Sequence, residues 1–133
     1  MTRPSTLTLS GSELEEVRQL ALDALVSTAL DVHRNQAFKP SAIDDMGDAV
    51  NLKLMLEPPG LPWPATVDLD EAMQRILRRM ARRVEQDETA SLEYYEEDLT
   101  TSDLTGDRGG VEAALSWHRS RLSRAQRVLQ MLD

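Results

Sequence analysis

The chain has 133 residues, and its 15 basic and 23 acidic side chains give a formal net charge of −8. This length predicts one domain over residues 1–133, large enough to bury about two-thirds of the surface that the unfolded chain exposes. Its helical character follows from the patterns below. The absence of cysteine excludes a disulfide framework, a thiolate zinc site and a cysteine nucleophile. The acidic balance argues against nucleic acid as a partner, since phosphate binding needs a basic surface.

Residues 1–11 precede the first helix signal. Residues 6–10 alternate polar and apolar side chains, so this segment is either a loose tail or a short strand. Ser12 and Glu15 then have the spacing of a capping box, which predicts the start of a helix. The residues that follow at helical spacing on one face are Leu14, Val17, Ala21, Ala24, Leu25, Thr28 and Val32. Further leucines on the other faces indicate a helix buried on every side, either central in a monomeric bundle or shared between two subunits.

A second helix is predicted from Pro40 to a point before Pro58. Its apolar face contains Ile43, Met46, Val50 and Leu54, and Leu52, Met55 and Leu56 widen this face. Residues 58–68 then contain four prolines within seven positions, which favours a stiff, extended connection. Trp63 in this connection is either a lid over the end of the bundle or a docking element for a partner.

Asp68 and Glu71 predict the start of a third helix, with Asp68 as its cap. One face of this helix is apolar, and the opposite face carries arginines: Arg75, Arg78, Arg79, Arg82 and Arg83. The helical spacing either continues to residue 98 or breaks at residues 89–91. Residues 100–110 read as a loop.

The last helix has an apolar face with charged residues opposite. The apolar face contains Val111, Leu115, His118, Leu122, Ala125, Leu129 and Leu132, and the opposite face contains Arg121, Arg124 and Arg127. The four predicted helices indicate an all-α fold, a helical bundle of about four helices, built as two helical hairpins joined by the Pro-rich crossing.

The longest apolar stretch and the amino-acid composition indicate where the protein is located and what kind of genome encodes it. The most apolar stretch, residues 20–30, is shorter than the ~20 residues needed to span a bilayer, so we expect no membrane contact and a cytoplasmic protein. Arginine outnumbers lysine thirteen to two, which with many Ala, Leu, Asp and Gly residues is typical of a GC-rich genome. A bacterial or phage origin follows as an expectation.

Charge is segregated along the chain. Residues 72–84 contain five arginines and no acid, whereas residues 85–107 contain nine acids and no basic residue. The acidic segment is either a solvated face that pairs with the arginines at 75–83 and 119–127, or a docking surface for a protein partner with a basic surface. The candidate docking residues are Glu93, Tyr94, Tyr95, Glu96, Glu97 and Asp98.

Recognisable catalytic motifs are absent from the sequence. His118 is predicted to be a buried, hydrogen-bonded core residue, and His33 to lie near a helix C-terminus. Neither histidine has a carboxylate three residues earlier, so the Glu-x-x-His pair of di-iron bundles is missing. Phosphate-binding glycine loops and His-Glu-x-x-His are missing as well. We therefore predict no catalytic residue and no cofactor.

One short segment supports an alternative. Residues 44–50, Asp-Asp-Met-Gly-Asp-Ala-Val, resemble the Glu-Glu-Leu-Gly-Asp segment of the all-α nucleoside triphosphate pyrophosphatases related to MazG, which are magnesium enzymes. The resemblance implies a magnesium site, for which the candidate ligands here are Asp31, Asp44, Asp45 and Asp48. The competing interpretation is that these aspartates interact favourably with a helix N-terminus.

The leading hypothesis is a small, non-catalytic helical interaction protein of the inhibitor, antitoxin, immunity or assembly-factor type. It would dock through the acidic and aromatic residues, and it could also form a homo-oligomer through its apolar first helix. The first alternative is the magnesium-dependent nucleotide pyrophosphohydrolase. The second alternative is a structural subunit of a larger bacterial or phage assembly.

Overall fold

The computed structural model describes residues 6–35, 40–101 and 108–132, with side chains described outside 30–35, 40–42, 98–101 and 108–109. In chain order the elements are β1 (Leu7–Ser10), α1 (Gly11–Asn35), α2 (Pro40–Leu56), β2 (Thr66–Leu69), α3 (Glu71–Thr101) and α4 (Arg108–Leu132). The predicted all-α bundle of about four helices is confirmed, with one small two-stranded sheet added to it. None of the helices in the described ranges is long and apolar enough to cross a bilayer.

The helices form two hairpins, with α1 against α2 and α3 against α4, and α1 also packs on both helices of the second hairpin. The core between them is aliphatic. Its fully buried larger side chains are Leu9, Leu14, Val17, Leu20, Leu52, Leu56, Leu69, Leu77, Val84 and Val128. Burial of each such side chain contributes about 1.5–3 kcal/mol, which makes apolar packing the main stabilising force.

The start of α3 differs from the prediction. The cap is Asp70, whose Oδ1 accepts a 2.8 Å hydrogen bond from the Met73 amide. Asp68 instead lies in β2 and accepts a 2.7 Å hydrogen bond from the Thr8 hydroxyl. Predicting Asp68 as the cap was therefore wrong by two residues, because the chain stays extended through Leu69.

The third helix is continuous for 31 residues, so the predicted alternative of a break at residues 89–91 is wrong. Thr89, inside that stretch, donates its hydroxyl to the Glu85 carbonyl at 2.7 Å without ending the helix. At 1.5 Å per residue α3 is about 46 Å long, and it joins the arginine-rich segment to the acidic segment in one rigid element.

A two-stranded antiparallel sheet ties the start of the chain to the segment before α3. Leu7 pairs with Leu69 and Leu9 with Val67, and Leu9, Val67 and Leu69 are buried in the core. The short-strand interpretation of residues 1–11 thus holds for β1, while β2 at the end of the Pro-rich connection was not predicted. Gly11, at φ +55°, makes the change from strand to helix in a conformation that favours glycine.

Two predicted helix faces are corrected. On α2 the buried residues are Ala49, Leu52 and Leu56, so the predicted edge of the apolar face is the buried part. Three of the four residues predicted at its centre are exposed: Ile43, Val50 and Leu54. Helix α1 is not buried on every side, because Leu22 is 39% exposed.

The Pro-rich connection is held against α1 by Arg18. The buried guanidinium donates to the carbonyls of Leu56 at 3.2 Å and Pro64 at 2.9 Å. Its central carbon lies 5.3 Å from the centroid of the Trp63 ring, in cation–π contact. Since Arg18 is near the start of α1 and Leu56 is the last residue of α2, the contact also shows that the two helices run antiparallel.

Candidate functional site

The predicted docking residues lie on the C-terminal half of α3. Glu93, Glu96 and Glu97 are exposed, Tyr94 is 67% exposed, and Tyr95 is half-buried. Glu96 lies 3.4 Å from Arg119 of α4, in one of the pairs expected between the acidic segment and the arginines. The side chain of Asp98 lies outside the described residues. Helix α3 therefore brings the first five of the six predicted residues to one accessible end of the second hairpin.

Four rings connect α3 to α4 in a continuous series, which we call the aromatic patch: Tyr94, Tyr95, His118 and Trp117. Tyr94 and Tyr95 meet edge to face at 5.3 Å, and Tyr95 stacks on His118 at 5.4 Å. Trp117 meets His118 edge to face at 4.9 Å and is 49% exposed. The core is aliphatic, and three of the five aromatic residues of the chain lie in this surface patch instead.

Beneath the aromatic patch lies a set of buried charges, which we call the buried ion network: Asp23 of α1, Glu88 of α3 and Arg121 of α4. These residues are only 5%, 3% and 3% exposed. Arg121 Nε donates to Glu88 Oε1 at 2.9 Å, and Nη1 lies 3.6 Å from Asp23 Oδ1. Arg121 Nη2 also donates to the Asp23 carbonyl at 2.9 Å and to Ser27 Oγ at 2.8 Å. The guanidinium of α4 therefore bonds to two other helices, α1 and α3, and joins the three.

The buried ion network is in direct contact with the rings above it. The second carboxylate oxygen of Glu88 is hydrogen-bonded to Nδ1 of His118, which stacks on Tyr95. The Arg121 guanidinium lies 4.4 Å from the centroid of the Trp117 ring, in cation–π contact. Two of the four rings are thus oriented by buried charged groups, so the aromatic patch has a rigid base.

A cavity of about 570 Å³ is lined by the rings and by two residues of the network, Glu88 and Arg121. Its lining residues are Ser27, Asp87, Glu88, Ala90, Ser91, Tyr94, Tyr95, Trp117, His118 and Arg121. Aromatic walls beside carboxylates are suited to the side chain of a lysine or arginine, which binds both through its charge and across the ring faces.

The prediction that Arg121 lies on α4 opposite its buried face was wrong, because Arg121 is only 3% exposed. It is buried because Glu88 and Asp23 provide carboxylates inside the bundle, so an ionised arginine there is hydrogen-bonded. His118 was predicted to be a buried, hydrogen-bonded core residue. It is hydrogen-bonded, and its side chain is only 13% exposed. Sequence reasoning missed Asp23, Ser27, Glu88 and Trp117. One signal was available, because Asp23 and Ser27 interrupt an apolar stretch four residues apart, on the same helix face.

Two of the four aspartates of the alternative magnesium site have other partners in the structure. Asp45 is paired with Arg83, and Asp48 is paired with Arg79. Asp44 is exposed, and the side chain of Asp31 lies outside the described residues. In the part of the chain that the structure describes, no group of three or more His, Cys, Asp or Glu side chains is arranged to hold a metal ion.

The arginine face of α3 borders a second cavity, of about 630 Å³. Arg79 and Arg83 donate to Asp48 and Asp45 of α2, and Arg78 donates to the Leu132 carbonyl of α4 at 2.8 Å. Three of the five arginines therefore hold α3 against its neighbours. Much of the positive charge of this segment thus interacts with groups of the same chain.

Comparison with known proteins finds no matching family model, no matching curated protein and no matching solved structure.

Proposed function

We propose that this protein is a non-catalytic binding module that docks onto a basic surface of another protein through the aromatic patch and the carboxylates beside it. One observation carries the proposal. The chain has few aromatic residues, and three of them line an accessible surface with acidic neighbours instead of filling the core.

The chemistry of the surface fits this role. Tyrosine and tryptophan are enriched in protein interfaces, where they provide large contact areas and most of the binding hot spots. Tyr94 and Trp117 are about half exposed or more, and each is in contact with a ring that is itself packed. Because these rings are already ordered, a partner would lose little side-chain entropy on binding them.

The carboxylates beside the rings favour a partner with a basic surface. Glu93, Glu96 and Glu97 lie within one turn of the tyrosines and are exposed. Exposed charges of one sign speed the encounter with a surface of the opposite sign and disfavour partners of the same sign. A small acidic protein that covers a basic functional surface would act as an inhibitor, an antitoxin, an immunity protein or an assembly factor.

The test is a comparison of matched charge reversals in affinity capture from the native host, quantified by mass spectrometry. The double variant Glu93→Lys with Glu96→Lys and the single variant Tyr94→Ala should each lose a partner that the wild type captures. The control double variant is Glu13→Lys with Glu15→Lys, which makes the same charge change at exposed positions of α1. It should retain the partner.

The same partner, once purified, should bind more weakly as salt concentration rises, because exposed charges are screened over about 8–10 Å at physiological ionic strength. All variants should keep the far-ultraviolet circular dichroism of the wild type. Equal capture by the Glu93/Glu96 variant and the control would refute the proposal.

A further inference from the structure

The cavity of about 630 Å³ beside the first half of α3 is lined mainly by cationic side chains. All five arginines of this segment contribute to its wall: Arg75, Arg78, Arg79, Arg82 and Arg83. Helix α1 contributes Ala24 and Thr28, and Asp45 of α2 is the only carboxylate among the described lining residues. Three helices thus shape a cavity in which arginine is the dominant side chain.

The described carboxylates near this cavity do not balance its arginines. Asp45 pairs with Arg83, Asp48 pairs with Arg79, and Asp87 Oδ2 lies 3.8 Å from Arg83 Nε. These three carboxylates face five arginines, which leaves an excess of two positive charges. The whole chain has a net charge of −8, so the cavity is opposite in sign to the molecule that contains it.

Arg75 and Arg82 carry this excess charge. Both side chains are exposed, and within residues 6–35, 40–101 and 108–132 neither takes part in an ion pair. They lie seven residues apart on one face of α3, with Arg78 and Arg79 between them. Seven residues span about 10 Å along a helix. The positive charge is therefore distributed along two turns of α3.

The five arginines also repel one another. Side chains three or four residues apart are neighbours on a helix, and like charges at this spacing destabilise it. Five of the arginine pairs have this spacing: 75 with 78, 75 with 79, 78 with 82, 79 with 82, and 79 with 83. An anion bound among these side chains would reduce the repulsion, so its binding should stabilise the fold.

An anion with several phosphate groups in a chain fits this arrangement. The planar guanidinium presents its N–H groups in a fork that matches two oxygens of one phosphate. Because the arginines are distributed along two turns, successive phosphates of one ligand can each reach a different guanidinium. The cavity volume is within the range of roughly 300–1,000 Å³ that small-molecule sites have.

We propose that this cavity is a binding site for a small anion that contains several phosphate groups, held at its ends by Arg75 and Arg82 and between them by Arg78 and Arg79. The cavity has no lining residue in common with the cavity of the aromatic patch. The two sites are therefore separate, and this proposal does not rest on the proposed function.

The test titrates sodium tripolyphosphate into the full chain by isothermal titration calorimetry at constant ionic strength. The wild type should bind it saturably and more tightly than inorganic phosphate, and binding should raise the midpoint of thermal unfolding. The double variant Arg75→Gln with Arg82→Gln should keep the wild-type circular dichroism and bind about tenfold more weakly or worse. The control is Arg119→Gln with Arg127→Gln on α4, where the side chains are 59% and 52% exposed. It makes the same charge change and should bind like the wild type.

Titration with ATP distinguishes two sources of the same phosphate chemistry. Tighter binding of ATP than of tripolyphosphate would assign the site to a nucleotide, and equal or weaker binding would assign it to a free oligophosphate. An absence of saturable tripolyphosphate binding by the wild type, or an equal loss of affinity in the two double variants, would overturn the proposal. Tighter binding of a polyglutamate peptide than of tripolyphosphate would overturn it as well, because the site would then receive an acidic protein segment.

Discussion

Arg121 is expected to contribute more to stability than any other charged residue of α4. Replacement of Arg121 by methionine keeps most of the length of the side chain but removes the guanidinium. It would leave Glu88 Oε1 and the Asp23 carbonyl without the 2.9 Å hydrogen bonds that each now receives, and Ser27 Oγ without one of 2.8 Å. Glu88 and Asp23 are almost fully buried, so the loss of this donor leaves desolvated acceptors with fewer hydrogen bonds.

The loss of stability in Arg121→Met depends on which bonds Glu88 and Asp23 keep. Removing one partner of a buried ion pair costs about 3–5 kcal/mol, because the other charge stays buried without compensation. Here Glu88 keeps its bond to His118, and Asp23 keeps Arg124 at 2.5 Å. We therefore expect the lower end of the range, about 3 kcal/mol, which for a chain of this size lowers the midpoint of thermal unfolding by roughly 10 °C.

The matched control is Arg127→Met on the same helix. Arg127 pairs with Glu16 at 3.1 Å, but its side chain is 52% exposed, so its loss should cost about 0–1 kcal/mol. Both free energies of unfolding are measured by urea denaturation followed by circular dichroism, at one and the same protein concentration. If Arg121→Met were within 1 kcal/mol of the control, the guanidinium would not be holding the three helices together as described.

Two further predictions use the same urea assay. Asp70→Ala should cost about 1 kcal/mol as the loss of a helix cap, and Asp68→Ala should cost less, because its bond to Thr8 is exposed; the reverse order would contradict the assignment of Asp70 as the cap. Leu77→Ala should cost about 2–5 kcal/mol, since Leu77 is fully buried, whereas Tyr94→Ala should stay within about 0.5 kcal/mol. A large loss of stability in Tyr94→Ala would mean that this ring serves the fold.

The helices were predictable because apolar periodicity is a local signal, and the two hairpins follow from short connections. The cap of α3 was misplaced because Asp68 and Asp70 are both suitable caps, and the choice depends on where β2 ends. That strand was obscured by the prolines before it, and it is set by pairing with a segment about sixty residues earlier. Helical spacing alone cannot detect such a partner.

In the candidate site, too, local features were predictable and contacts between helices were not. Glu93 to Glu97 are adjacent in sequence, so their clustering on α3 was predictable. The contribution of Trp117 and His118 depends on the register between α3 and α4, which no local pattern specifies. Arg121 was placed opposite the apolar face because an isolated helix offers an arginine no buried carboxylate, and its partners Glu88 and Asp23 are 33 and 98 residues away in the chain.

The β1–β2 sheet has a consequence for the order of folding. Its two strands can pair only after the whole of α1 and α2 has folded back, so forming the sheet requires closure of a loop of about sixty residues. The α3–α4 hairpin, in contrast, joins neighbours along the chain and can assemble early. In pulse-labelling hydrogen exchange, the amides of β1 and β2 should therefore become protected after those of α3 and α4, which makes this short sheet a marker for the completion of folding.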